Sequence, residues 1–169
     1  MTDGEDRENT PVAQRDAEFM RQAIALSRGA LERGNRPYGA VLIGAEGQVL
    51  AEGQNTEQSE RDVTGHAETN LLRDAYRAHD AATLAGATLY ASGEPCPMCA
   101  ATIFYSGIRR VVYGVSRERA RQLSPRAQTN SMLAISSREI LATSTRPIEF
   151  IGPFLEDEAE RPFTEIAEN

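Results

Sequence analysis

Apolar residues recur along this chain first with a helical period and then in short continuous runs. Phe19, Met20, Ala23, Ile24, Ala30 and Leu31 form a helical stripe. Its helix has two candidate starts, Thr10-Pro11 and Asp16, and Gly34-Asn35 ends it. Residues 38–43 read as a buried strand, 44–47 as a turn and 48–52 as the partner strand of a hairpin. Residues 54–64 are polar and read as a surface loop. Residues 65–79 read as a second helix, with Leu71, Leu72, Ala75 and Tyr76 on its apolar face. A third strand is predicted over 87–91, a turn over 92–95, a third helix from Cys96 to about Tyr105 and a fourth strand over 110–113. After Gly114 the pattern predicts an arginine-rich helix or turn, a helix over 133–142, a fifth strand over 147–151 and a last helix over 158–167 interrupted by Pro162. Strand, helix and strand recurring after an opening hairpin predict an α/β layered sheet.

The polar, acidic residues 1–10 read as a loose tail, and 11–169 as one domain long enough to bury a core. No run of eighteen apolar residues is present, and the N-terminus lacks the apolar stretch of a signal peptide, so the expected location is cytoplasmic, with no membrane partner. A net charge of -7 disfavours a protein that mainly grips nucleic acid. Every positive side chain is nevertheless arginine, and Arg109, Arg110, Arg117, Arg119, Arg121 and Arg126 cluster; a solvated face is the plain reading and RNA contact the sharper one.

The chain's only two cysteines stand in Pro95-Cys96-Pro97-Met98-Cys99, and one of its two histidines in His66-Ala67-Glu68. Thiolate with imidazole suits tetrahedral zinc. The ligand count matters. A structural zinc site closes its shell with four protein ligands, whereas a catalytic one leaves a place for water. Here the candidates are His66, Cys96 and Cys99. His79 lies about 20 Å further along the same predicted helix and cannot join them. Cys96 and Cys99 share a face on a first helical turn, whose positive end favours thiolate. His66 and Glu68 converge on one ion only if His66 sits at the non-helical edge of its helix. Glu68 is then the carboxylate placed to move a proton. The rival readings are a dithiol redox pair and a zinc site that only stabilises a binding module; Glu68 separates them from an enzyme, because a structural site needs no adjacent carboxylate.

The combined pattern resembles the zinc-dependent cytidine deaminase superfamily, in which His-x-Glu is followed by Pro-Cys-x-x-Cys. The resemblance is strongest over 36–114. It implies a cytidine deaminase-like three-layer α/β/α fold with a mixed five-stranded sheet, bound Zn2+, a small-molecule nucleobase substrate and a homodimer. The implied reaction is hydrolytic: an activated water attacks the ring carbon that bears the exocyclic amine, and ammonia leaves. Residues His66, Cys96 and Cys99 would be the metal ligands and Glu68 the proton carrier. Asn55, Ala67 and Glu165 would contact substrate, although Asn55 read locally is a turn residue.

Three branches of the superfamily compete. The stretch Thr102-Ile-Phe-Tyr-Ser-Gly-Ile-Arg-Arg-Val-Val-Tyr-Gly114 and the tail Arg161-Pro-Phe-Thr-Glu165 are similar to fungal-type cytosine deaminases, with glutamate where aspartate is expected and no tryptophan beside it. Arg36-Pro-Tyr-Gly-Ala-Val41 and Glu94-Pro-Cys-Pro-Met-Cys99 are similar to guanine deaminases and to tRNA adenosine deaminases alike. The acidic balance favours a free base: cytosine or an aza-ring analogue such as 5-azacytosine first, then guanine.

Overall fold

The fold is taken from a computed structural model, which describes residues 11–123 and 133–165. The tail 1–10, Arg126 and the end of the last predicted helix lie outside the described residues. Helix α1 (Pro11–Glu32) starts at its proline, whose fixed φ suits a first helical position. Asp16 therefore is no cap. It lies inside α1, buried, and accepts a 2.6 Å hydrogen bond from the Tyr90 hydroxyl and a bidentate pair from Arg110.

The sheet comprises β1 (Gly39–Ile43), β2 (Val49–Gln54), β3 (Thr88–Gly93), β4 (Arg110–Val115) and β5 (Glu149–Ile151) in the order β2-β1-β3-β4-β5. β1 runs antiparallel to β2 and β3, while β3, β4 and β5 are parallel, so the sheet is mixed and five-stranded as expected. Every residue of β1 is buried, which is why its sequence shows no polar alternation. Successive side chains still point to opposite faces. Val41, Ile43, Tyr90 and Val112 pack under α1 with Phe19, Met20 and Ile24. Ala40, Leu42, Leu89 and Val111 pack on the other face with Leu71, Leu72 and Ile103. These two cores make three layers. α1 passes so close to β1 that a Cβ on Gly39 would meet the Ala23 carbonyl and the Ser27 amide.

α2 (Glu57–Glu60) follows β2, and α3 (Ala67–Ala78), α4 (Ala81–Ala85) and α5 (Pro97–Ser106) cover the second face. α2 falls where a plain loop was expected, and α4, capped by the Asp80 side chain accepting from Thr83 N, was not foreseen. Tyr76, expected on the buried face of α3, is 64% exposed, because Leu71, Leu72 and Ala75 already fill the stripe that meets the sheet. Next come α6 (Arg117–Leu123) and α7 (Ser137–Ala142); α7 starts later than the pattern suggested because Ser136 and Glu139 form a reciprocal capping box. The final helix divides into α8 (Glu156–Ala159) and α9 (Arg161–Thr164), with Pro162 in the first turn of α9. Among the described residues no helix is long and apolar enough to cross a membrane.

Candidate active site

Two helix starts meet at the site. His66 is the residue before α3 and has extended backbone, φ -79 and ψ 151. Cys96 holds the same place before α5, φ -77 and ψ 171. This resolves the spacing problem. With His66 outside the helix and Glu68 in its first turn, both side chains reach one point. α3 is held there by close contact with β2, since a Cβ on Gly53 would run into the Ala67 carbonyl and lie 2.8 Å from the Leu71 Cβ.

Three donor atoms converge. Cys96 Sγ and Cys99 Sγ are 3.5 Å apart, and His66 Nδ1 lies 3.4 Å and 3.5 Å from them. Zinc with Zn–S of about 2.3 Å and Zn–N of about 2.0 Å at tetrahedral angles requires edges of about 3.8 Å and about 3.5 Å. The donor set and its size therefore fit a zinc ion after sub-ångström adjustment. His79 is elsewhere, with its Nε2 3.4 Å from the Leu50 carbonyl.

The electrostatics agree with that fit. The hydrogen bond with Cys99 pulls the Cys96 thiol down to about 4, against the cost of burial and with help from His66. The same contact, then burial, hold Cys99 well above the ordinary thiol range. The pair thus keeps one thiolate and one thiol, and a soft cation between them satisfies both sulfurs. Burial pushes the Glu68 carboxyl up, and its Oε2 is 3.5 Å from Cys99 Sγ. Tyr38 lies near enough for Glu68 and Cys96 to act on its hydroxyl, which burial raises to about 12.

Comparison with known proteins follows the same line. Residues 13–115 match the cytidine and deoxycytidylate deaminase zinc-binding region. A probable cytosine deaminase of Schizosaccharomyces pombe is 36% identical over 154 residues, 91% of this chain and 93% of that protein. The chain belongs to the zinc-dependent deaminase family. Among solved structures, a tRNA:A34 deaminase that performs A-to-I editing superposes with a TM-score of 0.68 at 32% identity, covering 86% of this chain and 99% of the other. A guanine deaminase from Bacillus subtilis superposes at 0.59 and 26%, covering 90% and 94%. As a member of this family the protein is a deaminase, and zinc is its cofactor.

Around this deaminase centre the remaining residues divide. Asn55, at the end of β2, is 2% exposed, and its Oδ1 accepts from Glu57 N at 3.2 Å. That bond fixes the amide orientation, because only the oxygen can accept. The Asn55 NH2 has no protein partner among the described residues. Ala67 is buried at the first position of α3, where a backbone N–H has no helical acceptor. Glu165 is not brought to the centre. It pairs at 3.5 Å with Arg28 of α1, and both side chains are exposed. The α9 residue that turns inward is Phe163, packed edge-on against Tyr38 with ring centroids 5.2 Å apart.

Sequence reading missed Ser137, whose hydroxyl, buried, donates to the Pro95 carbonyl and so ties α7 to the cysteine turn. Glu94 serves the turn itself, accepting from Arg117 N. The arginine cluster is mostly occupied within the molecule. Arg110 holds Asp16 and Glu149, Arg117 donates to the Leu133 and Ile135 carbonyls, Arg119 pairs with Glu160 and Arg121 with Glu118.

Proposed function

We propose that this deaminase hydrolyses a free nucleobase, cytosine or a close aza-ring analogue, with His66, Cys96 and Cys99 holding zinc and Glu68 carrying protons. The observation that carries the reading is the buried Glu68 carboxyl beside the three-donor cluster, since a purely structural metal has no use for it. When bound, zinc supplies the Lewis acidity that lowers the pKa of a water to about 7. Glu68 takes a proton from the attacking water and returns protons to the ring nitrogen beside the attacked carbon and then to the leaving amine. Ammonia departs and the amidine becomes an amide. The free Asn55 NH2 and the Ala67 N–H are donors, so the matching edge of the substrate is an acceptor, such as a ring carbonyl.

Similarity to the S. pombe protein over nearly its whole length supports the pyrimidine choice. The likeness to a guanine deaminase supports guanine as the second reading. Action on RNA is disfavoured by the cluster arginines engaged within the molecule. The same reading has the enzyme as a cytoplasmic homodimer, with the exposed Tyr105 of α5 as apolar surface for a second copy; sedimentation equilibrium tests the mass. Ammonia release from cytosine, 5-azacytosine, guanine, adenine, cytidine, guanosine and an anticodon stem-loop tests the substrate. Turnover of cytosine or 5-azacytosine is expected. Turnover of guanine alone moves the enzyme to the purine branch, and turnover of the stem-loop alone overturns the free-base reading.

A further inference from the structure

We propose that Glu57 is a positioning residue for the metal centre: its carboxylate accepts the Nε2–H of His66 and thereby holds the ring in the tautomer that offers Nδ1 to zinc. The inference rests on the reading of His66 as a ligand and adds a residue to it.

Nδ1 is the ring nitrogen that faces both sulfurs, at 3.4 Å and 3.5 Å. A neutral imidazole that ligates through Nδ1 must carry its proton on Nε2. Nε2 faces Glu57 Oε2 at 3.8 Å. That oxygen is buried and takes no hydrogen bond among the described residues. A buried carboxylate oxygen without a donor is costly, so one is expected to reach it. Two groups approach it: the His66 ring and Arg36 Nε at 3.7 Å. Both lie just beyond hydrogen-bond length. Closing the histidine contact needs a movement of under 1 Å, of the same size as the adjustment that seats zinc between the three donors.

The backbone around Glu57 is built to hold it. Asn55 Oδ1 accepts from Glu57 N. Asn35 Oδ1 accepts from Gln58 N at 3.1 Å and Ser59 N at 3.0 Å. Thr56 N donates to the Gly65 carbonyl beside His66. Two buried asparagines thus pin the single turn of α2 from which Glu57 approaches His66. Metal-bound histidines depend on such a partner, and its loss typically lowers metal affinity about 10- to 100-fold.

The test measures zinc affinity by chelator competition for the wild type and for Glu57→Ala, Glu57→Gln, Arg36→Ala and His66→Ala, with the histidine tautomer followed by 15N NMR. Glu57→Ala is expected to weaken zinc about 10- to 100-fold, and Glu57→Gln, which keeps a neutral acceptor, by less. The wild-type zinc form should show an Nε2–H resonance that weakens or exchanges faster in Glu57→Ala. Arg36→Ala should change affinity less than Glu57→Ala does. Unchanged affinity and tautomer signal in Glu57→Ala, with His66→Ala losing zinc, would overturn this proposal alone. Zinc retained by His66→Ala would instead overturn the ligand assignment.

Discussion

Cys99 Sγ lies 3.5 Å from Glu68 Oε2, and both groups are buried. One contact therefore joins the first turns of α3 and α5, and it puts the Glu68 carboxyl against the three-donor cluster. Cys99 has a single thiol proton, and Cys96 Sγ and Glu68 Oε2 both lie 3.5 Å from its sulfur as acceptors for it. A metal held by Cys99 would take the place of that proton and would leave the carboxylate oxygen open to another donor.

Replacing Glu68 with Gln should leave zinc content and circular dichroism unchanged. Deamination should fall about 100- to 10,000-fold, the range of a positioned acid–base group. Metal analysis of the same sample used in the ammonia assay checks both parts. Activity near the wild-type level would remove Glu68 from the proton path.

Removal of the metal gives a second expectation. A chelator should abolish turnover, and added Zn2+ should restore it. Because the three donors come from two separate helix starts, zinc also binds the folded state preferentially. At about a thousandfold excess over Kd it should add about 4 kcal/mol to unfolding. A melting temperature that does not rise with added zinc would show that the cluster does not hold it.

Gly53 lets α3 sit directly on β2. Gly53→Ala places a methyl against the Ala67 carbonyl and pushes away the residues beside His66 and Glu68. Overpacking of this kind costs about 1–3 kcal/mol. Turnover should fall more than stability, since the displaced segment carries the site. Denaturant melts and kcat measured together separate the two effects.

How far the sequence reached is clearest at this centre. That His66, Glu68, Cys96 and Cys99 come together was legible because scarce residue types at fixed spacing mark the site locally. Glu57 and Ser137 were not, because their roles are made by contacts that folding creates. The Ser137 hydroxyl meets a carbonyl 42 residues away, and nothing in its own neighbourhood marks it. Glu165 is the opposite case, paired with Arg28 on the surface. Resemblance of the tail suggested its role, but the direction of the chain through α8 and α9 is set by arginines on α1 and α6, and those are distant in sequence. The layered sheet was readable from continuous apolar runs. The Tyr76 error came from extending a helical stripe one position past the width the sheet covers.

The buried link between Tyr90, Asp16 and Arg110 ties α1 to β3 and β4. Tyr90→Phe should cost about 1 kcal/mol, the net worth of one hydrogen bond. Asp16→Asn leaves the guanidinium with only the exposed Glu149 carboxylate as counter-charge. Breaking a buried pair costs about 3 kcal/mol, reduced here to about 2 because Arg110 is 23% exposed. Burial, then the bond to Asp16, raise the Tyr90 hydroxyl above its ordinary value. A raised folded pKa stabilises below the unfolded value of about 10 and is lost as pH rises through the folded one. Stability of the wild type should therefore fall at alkaline pH more steeply than that of Tyr90→Phe, as read from urea midpoints between neutral and strongly alkaline buffers.

The C-terminal segment is held by carboxylates. Glu156 accepts from Ser116, Glu158 pairs with Arg21 and Glu160 with Arg119. The hydrogen bond from Arg21 holds Glu158 below the usual carboxylate range, and that from Arg119 does the same for Glu160. A depressed folded pKa stabilises above the unfolded value of about 4.3 and is lost as pH falls through the folded one. The clamp should thus be intact at neutral pH and open in acid. Arg119→Ala should open it already at neutral pH, read as faster proteolysis of the last residues. The expected link to function is Phe163, which rides on this segment and packs edge-on against Tyr38, whose carbonyl accepts from Asn55 N. Phe163→Ala is therefore expected to lower kcat/KM at least about tenfold, a loss of about 1.4 kcal/mol in transition-state binding. Glu165→Ala, which removes an exposed pair with Arg28, is expected to change kcat/KM by less than about threefold, in keeping with the small worth of surface ion pairs. The reverse order of these two losses would return Glu165 to the substrate.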